Sequence, residues 1–282
     1  MLITGELLQS FADVTISNQK KINVHKNVKN FVKKIIYIKL NEDFSDENIN
    51  EIKKHKVIFI YSDFIEYFFK KIISYIDHKF ILITHNCDLG ADIKYKKFID
   101  NNNLVKWYSN NIYFNHEKLI PLPIGIANSQ WKHGNLKLLN EIIKNNNQKT
   151  KLLYTNFSLN TNKNRRNIKN IIENNFGSIY LKKTNQKEYL NELSKHKFCV
   201  SPPGNGIDCH RTWEALYLGV IPIVKSHPHN LFFQDLPILI INDWKIITPE
   251  YLNKIYQEFQ NKKFNMQFLN LEYWKTQFQN NI

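Results

Sequence analysis

Apolar residues come in short runs along this chain, each followed by an amphipathic stretch of helical period, and the alternation restarts after a polar break. In the first half the runs are Lys34 to Leu40, Val57 to Tyr61, Phe80 to Thr84, Leu104 to Trp107 and Leu119 to Ile124. Their length and their Ile, Val and Phe content predict strands. Strands alternating with helices predict a parallel sheet covered by helices. Asn140 to Thr150, centred on Asn145-Asn146-Asn147-Gln148, interrupts the beat and sets a boundary near residue 149. The second half resumes it with strands at Leu152 to Asn156, Ser178 to Leu181, His196 to Val200, Val220 to Val224 and Ile238 to Ile241. A long helical region from Pro249 onward ends in Leu269, Tyr273, Trp274 and Phe278, spaced to pack back across the first domain. The expectation is an α/β chain of two domains, 1–149 and 150–265, facing each other across a cleft between the carboxyl edges of their sheets. Residues 266–282 return to the first domain.

Composition narrows the function more than the fold. The 282 residues are 43% hydrophobic, enough for one large core or two ordinary ones. The formal charge of +14 invites nucleic acid, but the lysines are scattered from end to end, as in Lys20-Lys21, Lys53-Lys54 and Lys96-Lys97, and form no stripe. Cys87, Cys199 and Cys209 are too few and too irregular for a disulfide framework or a metal knuckle, which fits a reducing compartment. No apolar run approaches a membrane span and Met1 to Asp13 lacks a signal core, so the expected location is the cytoplasm.

The most informative stretch is Ser201-Pro-Pro-Gly-Asn-Gly-Ile-Asp-Cys-His-Arg-Thr-Trp-Glu214. Pro202, Pro203, Gly204, Asn205 and Gly206 stop the preceding strand and open a loop. Asp208 suits the N-cap of a helix over Cys209 to Leu218, and Gly219 stands where a helix wants its terminal glycine. A helix N-terminus at the carboxyl end of a parallel strand is a phosphate site. His210, Arg211 and Glu214 fall on one side of its first turns, the arginine suited to a pyrophosphate and the carboxylate to ribose hydroxyls. Ser201, Gly204, Asn205, Gly206 and Asp208 complete this donor loop. A second polar loop, Tyr154 to Asn164, places Arg165 and Arg166 at the start of another helix, where cations oppose the dipole; alone they read equally as solvated helix residues, and paired with the Arg211 segment they read as ligand contacts.

In the first half, Ser62 and Asp63 follow a strand and suit helix capping, with Asp63 also available as a base. Thr84-His85-Asn86-Cys87-Asp88 gathers an imidazole, an amide and a carboxylate at another strand end, so His85 and Asp88 are candidates for deprotonating an acceptor hydroxyl, and the segment reads equally as a hydrogen-bonded turn. Asn128, Gln130, Trp131 and His133, in the loop after Pro121-Leu-Pro-Ile-Gly, suit sugar contacts. Trp131 equally suits packing between domains. The sequence has no Asp-x-Asp pair, no GxxxxGK[ST] and no GxGxxG, so the diphosphate is expected to be held by arginine and helix electrostatics without a metal.

On Phe198-Cys-Val-Ser-Pro-Pro-Gly204, His210-Arg-Thr-Trp-Glu-Ala-Leu-Tyr-Leu-Gly219, Ile221-Pro-Ile223 and the Asn156 to Arg166 loop, the second half resembles the exostosin-like glycosyltransferases. The resemblance covers about residues 150 to 245. Thr84-His-Asn-Cys-Asp88 and Leu122-Pro-Ile-Gly-Ile-Ala-Asn128 look similar to first-domain motifs of small bacterial and large-virus members. It implies a GT-B fold of two Rossmann-like domains and inverting transfer from a UDP- or GDP-sugar to a glycan, glycolipid or glycoprotein. It further implies that Glu214 holds the donor ribose and that Arg166 and Arg211 hold the diphosphate. Two other readings stay open: a glycan- or nucleotide-binding module without turnover, and a basic nucleic-acid-binding protein.

Overall fold

The computed structural model describes residues 1–17, 32–38, 45–177 and 184–281. Two compact units divide the chain. The first comprises Met1–Ile124, Asn128–Gln130 and Asn270–Ile282, and the second Gly125–Ala127 and Trp131–Leu269.

The first unit is built on β1 (Val14–Ser17), β2 (Ile35–Tyr37), β3 (Val57–Tyr61), β4 (Phe80–His85), β5 (Leu104–Ser109) and β6 (Leu119–Pro121). They form one sheet in the order β2-β1-β3-β4-β5-β6, and every pairing is parallel. Val57 to Ile60 and Phe80 to His85 are buried without alternation, as parallel strands covered on both faces must be. One face packs on Phe68, Phe69 and Ile72, with Phe69 stacked on Phe98 at 5.1 Å and edge-on to Trp107 at 5.0 Å. The expected helix after Asp63 is a succession of 3-10, α and π turns over Ser62–Tyr75. Trp274 and Phe278 of the Leu271–Asn280 helix are fully buried, and Phe278 meets Tyr108 at 4.9 Å.

The second unit carries β7 (Lys151–Tyr154), β8 (His196–Val200), β9 (Ile221–Lys225) and β10 (Leu239–Ile241), again all parallel, in the order β10-β9-β8-β7. Phe198, Val200, Ile223 and Ile241 pack against Ile168 and Ile172 of the Arg165–Phe176 helix and Leu252 of the Pro249–Gln260 helix. Lys149 donates from Nζ to the carbonyls of Ser194 and Leu218, both at 2.6 Å. These residues close the Gln186–Leu193 and His210–Tyr217 helices, so one cation serves two helix C-termini.

Several details differ from the sequence reading. β1, in the interior of the first sheet, was not anticipated, because Val-Thr-Ile-Ser reads as half polar although all four residues are buried. β6 ends at Pro121, not Ile124. The continuous part of the second unit begins at Trp131 instead of near residue 149, since the Leu136–Asn145 helix packs against the Gln186–Leu193 helix and Asn147 donates to Ser194 Oγ at 2.7 Å. The region after Pro249 is broken at Asn261 and again before Leu271. The strand expected over Ser178 to Leu181 lies outside the described residues. No helix among the described residues is long and apolar enough to cross a membrane.

Candidate functional site

In the second unit, β8 ends at Val200 and the chain opens into the Ser201 to Cys209 loop before the His210–Tyr217 helix. Ser201 is pinned at both ends, its N–H on the Ile223 carbonyl at 2.9 Å and its Oγ 2.9 Å from Thr212 Oγ1. Gly204 N–H donates to the Gly206 carbonyl, and Asn162 Nδ2 reaches the Gly204 carbonyl at 3.0 Å. Asn205 stands exposed at the tip. Gly219 ends the helix with φ of +66°, the conformation its position called for.

Asp208 does not cap the helix. Cys209 is the N-cap and makes no side-chain capping bond. Asp208 is buried instead, accepting from the indole of Trp213 at 2.7 Å and from Cys209 N–H at 2.8 Å, with His229 Nε2 3.3 Å away. It fixes the loop from beneath. The Cys209 thiol donates to the Pro202 carbonyl, and burial raises its pKa, so it is no activated nucleophile.

The two neighbouring arginines of the other loop separate completely. Arg165 is buried and spends its guanidinium on three carbonyls, Pro203 at 2.8 Å, Ser158 at 2.9 Å and Pro202 at 3.0 Å. It ties both loops together and is not placed to greet a ligand as the sequence suggested. Arg166, a helical step of about 100° further round, is exposed.

Arg211 is the opposite case to Arg165. Its Nε and Nη1 are shut away from solvent and have no hydrogen-bond partner among the described residues. The two guanidinium groups each lie against the ring of Phe157, Arg165 at 5.6 Å and Arg211 at 5.9 Å from its centroid. One turn on, buried Glu214 accepts from the Tyr189 hydroxyl at 2.6 Å. Burial raises the Glu214 pKa, opposed by the Tyr189 hydroxyl and the charge of Arg211. Burial also drives Tyr189 well above the ordinary phenol range, so it remains a donor. Tyr189 was not foreseen; its partner is 25 residues away on another helix. A signal that was available lies in the basic residues: of 39, only Arg165, Arg166 and Arg211 are arginines, and all three stand at these two helix starts.

His210 donates from Nδ1 to the Gly125 carbonyl at 2.7 Å; a carbonyl only accepts, which fixes the tautomer of the neutral ring. Its ring lies 6.0 Å from that of His133, which in turn is nearly parallel to Trp131 at 6.3 Å.

In the first unit, the expected base His85 is fully buried and occupied. Nε2 donates to the Pro123 carbonyl at 3.0 Å while Nδ1 accepts from Asn86 N–H at 2.7 Å. Gly5 packs so closely here that a Cβ would stand 1.9 Å from Asn86 Oδ1. Asn128, expected at an acceptor, donates to Asn86 Oδ1 at 2.9 Å and accepts from Glu6 N–H at 3.0 Å. Both residues are framework. Asp63, Asp88 and Gln130 are exposed, and the two carboxylates act together to raise the Cys87 thiol, whose main cause is burial. Gln130 falls in the first unit and Trp131 in the second, so the four expected acceptor contacts do not share one unit.

No family model matches the chain, and no curated protein matches it.

Proposed function

We propose that this chain is a glycosyltransferase of GT-B type that takes a sugar from a nucleoside diphosphate sugar, with the diphosphate on Arg211. The carrying observation is the buried, unmatched Nε and Nη1 of Arg211 at the carboxyl edge of the second sheet. A shielded guanidinium without acceptors is costly, and folded proteins rarely keep one unless a ligand completes it. A diphosphate supplies paired anionic oxygens for the planar fork. In a chain that otherwise uses lysine for its positive charge, arginine at these loops supports the same reading. Glu214, oriented by Tyr189, is suited to ribose hydroxyls, and the N-terminal end of the His210–Tyr217 helix adds its dipole. In the transfer, an acceptor hydroxyl oxygen bonds to the anomeric carbon and gives up its proton to water, as the bond to the diphosphate oxygen breaks and Arg211 stabilises the charge that the departing oxygen gains. These groups provide the stabilisation usually assigned to a divalent ion, so donor binding should persist in EDTA.

The test is thermal unfolding with UDP, GDP, CDP, TDP and their sugars in EDTA, for the wild type and Arg211→Met. Ligand at about 100 times its Kd adds about 2.7 kcal/mol. One nucleotide should stabilise the wild type and leave Arg211→Met unmoved, while the variant alone is as stable as the wild type or more so, by about 1 kcal/mol. A variant that unfolds earlier and still gains from nucleotide would assign Arg211 to the framework and sink the reading. Nucleotide binding without donor turnover on any acceptor would favour the non-catalytic module.

A further inference from the structure

Of the five tryptophans, Trp107, Trp213, Trp244 and Trp274 are at most 5% exposed, whereas Trp131 is 54% exposed. It is held in place all the same. Its carbonyl accepts from Gly134 N–H at 2.8 Å, its ring lies within 18° of parallel to His133, and Gln186 Nε2 anchors the His133 carbonyl at 2.5 Å. Partial burial lowers the His133 pKa, so the ring behind the indole is neutral at physiological pH. The next ring in the series is His210, the residue beside Arg211. All of these belong to the second unit.

We propose that Trp131, backed by His133, is a stacking shelf for one pyranose ring of a saccharide acceptor. An ordered indole with one open face presents apolar area matched to the C–H face of a sugar. Its sequence neighbours Gln130 and Lys132 are exposed and polar, so the adjoining residues add no apolar side chain to the indole. A protein partner needs a far larger surface, about 800 Å² on each side. The ring series Trp131, His133, His210 runs toward the Arg211 helix, which puts a stacked sugar on the same unit as the donor diphosphate. Calling that saccharide an acceptor rests on the transferase reading; the stacking itself does not.

Because the other tryptophans are buried, acrylamide quenching of the intact chain reports mainly on Trp131. The probes are a panel of neutral, amino and acidic oligosaccharides, with and without UDP or GDP, applied to the wild type, Trp131→Ala and Trp131→Phe. The shelf predicts that at least one oligosaccharide class shields the wild-type emission. Trp131→Ala should weaken binding of that class, measured on a glycan array, by about tenfold or more, and Trp131→Phe by less, with nucleotide stabilisation unchanged in both. Shielding by nucleotides alone would make the shelf a base platform and overturn the proposal, as would a panel in which no saccharide shields Trp131. Saccharide shielding in a chain that binds no nucleotide would keep the shelf and remove the transferase reading, so the two failures are distinct.

Discussion

At the carboxyl ends of β4 and β5, polar side chains are closed on one another. Thr84 Oγ1 donates to Ser109 Oγ at 2.7 Å, Trp107 Nε1 to Thr84 Oγ1 at 3.0 Å and Ser109 Oγ to the Asn110 carbonyl at 2.8 Å. Asn110 accepts from Ser62 Oγ at 2.9 Å and donates to the Cys87 carbonyl at 2.7 Å. At the carboxyl end of β8, Arg211 keeps two shielded donor nitrogens with no acceptor among the described residues. A buried polar group whose demands are met within the chain holds the fold together; one whose demands are unmet makes the fold carry a cost that a ligand can recover. Within the second unit the same contrast separates Arg165 from Arg211 across the ring of Phe157.

Three substitutions press on this contrast. The largest effect is expected from Arg165→Met, which orphans the Ser158 and Pro203 carbonyls, leaves that of Pro202 with the Cys209 thiol alone and unties two loops, at a cost of about 3 kcal/mol or more in urea unfolding. A loss no larger than that of Arg211→Met would erase the distinction between the two arginines. Next is Asn110→Leu, which leaves Ser62 Oγ and the Cys87 carbonyl unmatched in a fully buried position and should cost about 2 kcal/mol without altering nucleotide stabilisation. Coupling of this variant to nucleotide binding would mean that the first edge is not closed on itself. The smallest effect concerns Glu214. An acid whose folded pKa is raised loses stability as pH climbs from the ordinary carboxylate range through the raised value, because the unfolded chain ionises first. Glu214→Gln keeps an acceptor for Tyr189 and should flatten that fall, with no difference in slope below the ordinary range. Identical stability–pH curves for the two proteins would show that Glu214 ionises in the fold as it does in an open chain.

What could be read in the chain follows the same division. β3 was legible because a strand buried on both faces is continuous in apolar residues, and Gly219 because a helix end needs a left-handed residue. β1 was not, since Thr15 and Ser17 become interior positions only through pairing with β2 and β3. The helix start bearing Arg211 and Glu214 was evident from order and residue type. Which of Arg165, Arg166 and Arg211 would be left unmatched was not, because that depends on carbonyls supplied by Ser158, Pro202 and Pro203. His85 carries the same lesson in reverse: its strand-end position reads as chemistry, while Asn86 and Pro123 occupy both nitrogens.

The Leu271–Asn280 helix gives the two units different histories on the ribosome. The second unit is nearly continuous in sequence, from Trp131 to Leu269, and can close as soon as that stretch has emerged. The first unit is begun before the second, yet Trp274 and Phe278, which fill its core beside Phe11 and Tyr108, are synthesised after the second unit. Contacts of such long sequence separation form slowly and late. Of the two units, the one begun first is therefore completed second, and until then the Tyr108 side of its sheet stays open to chaperones and to aggregation.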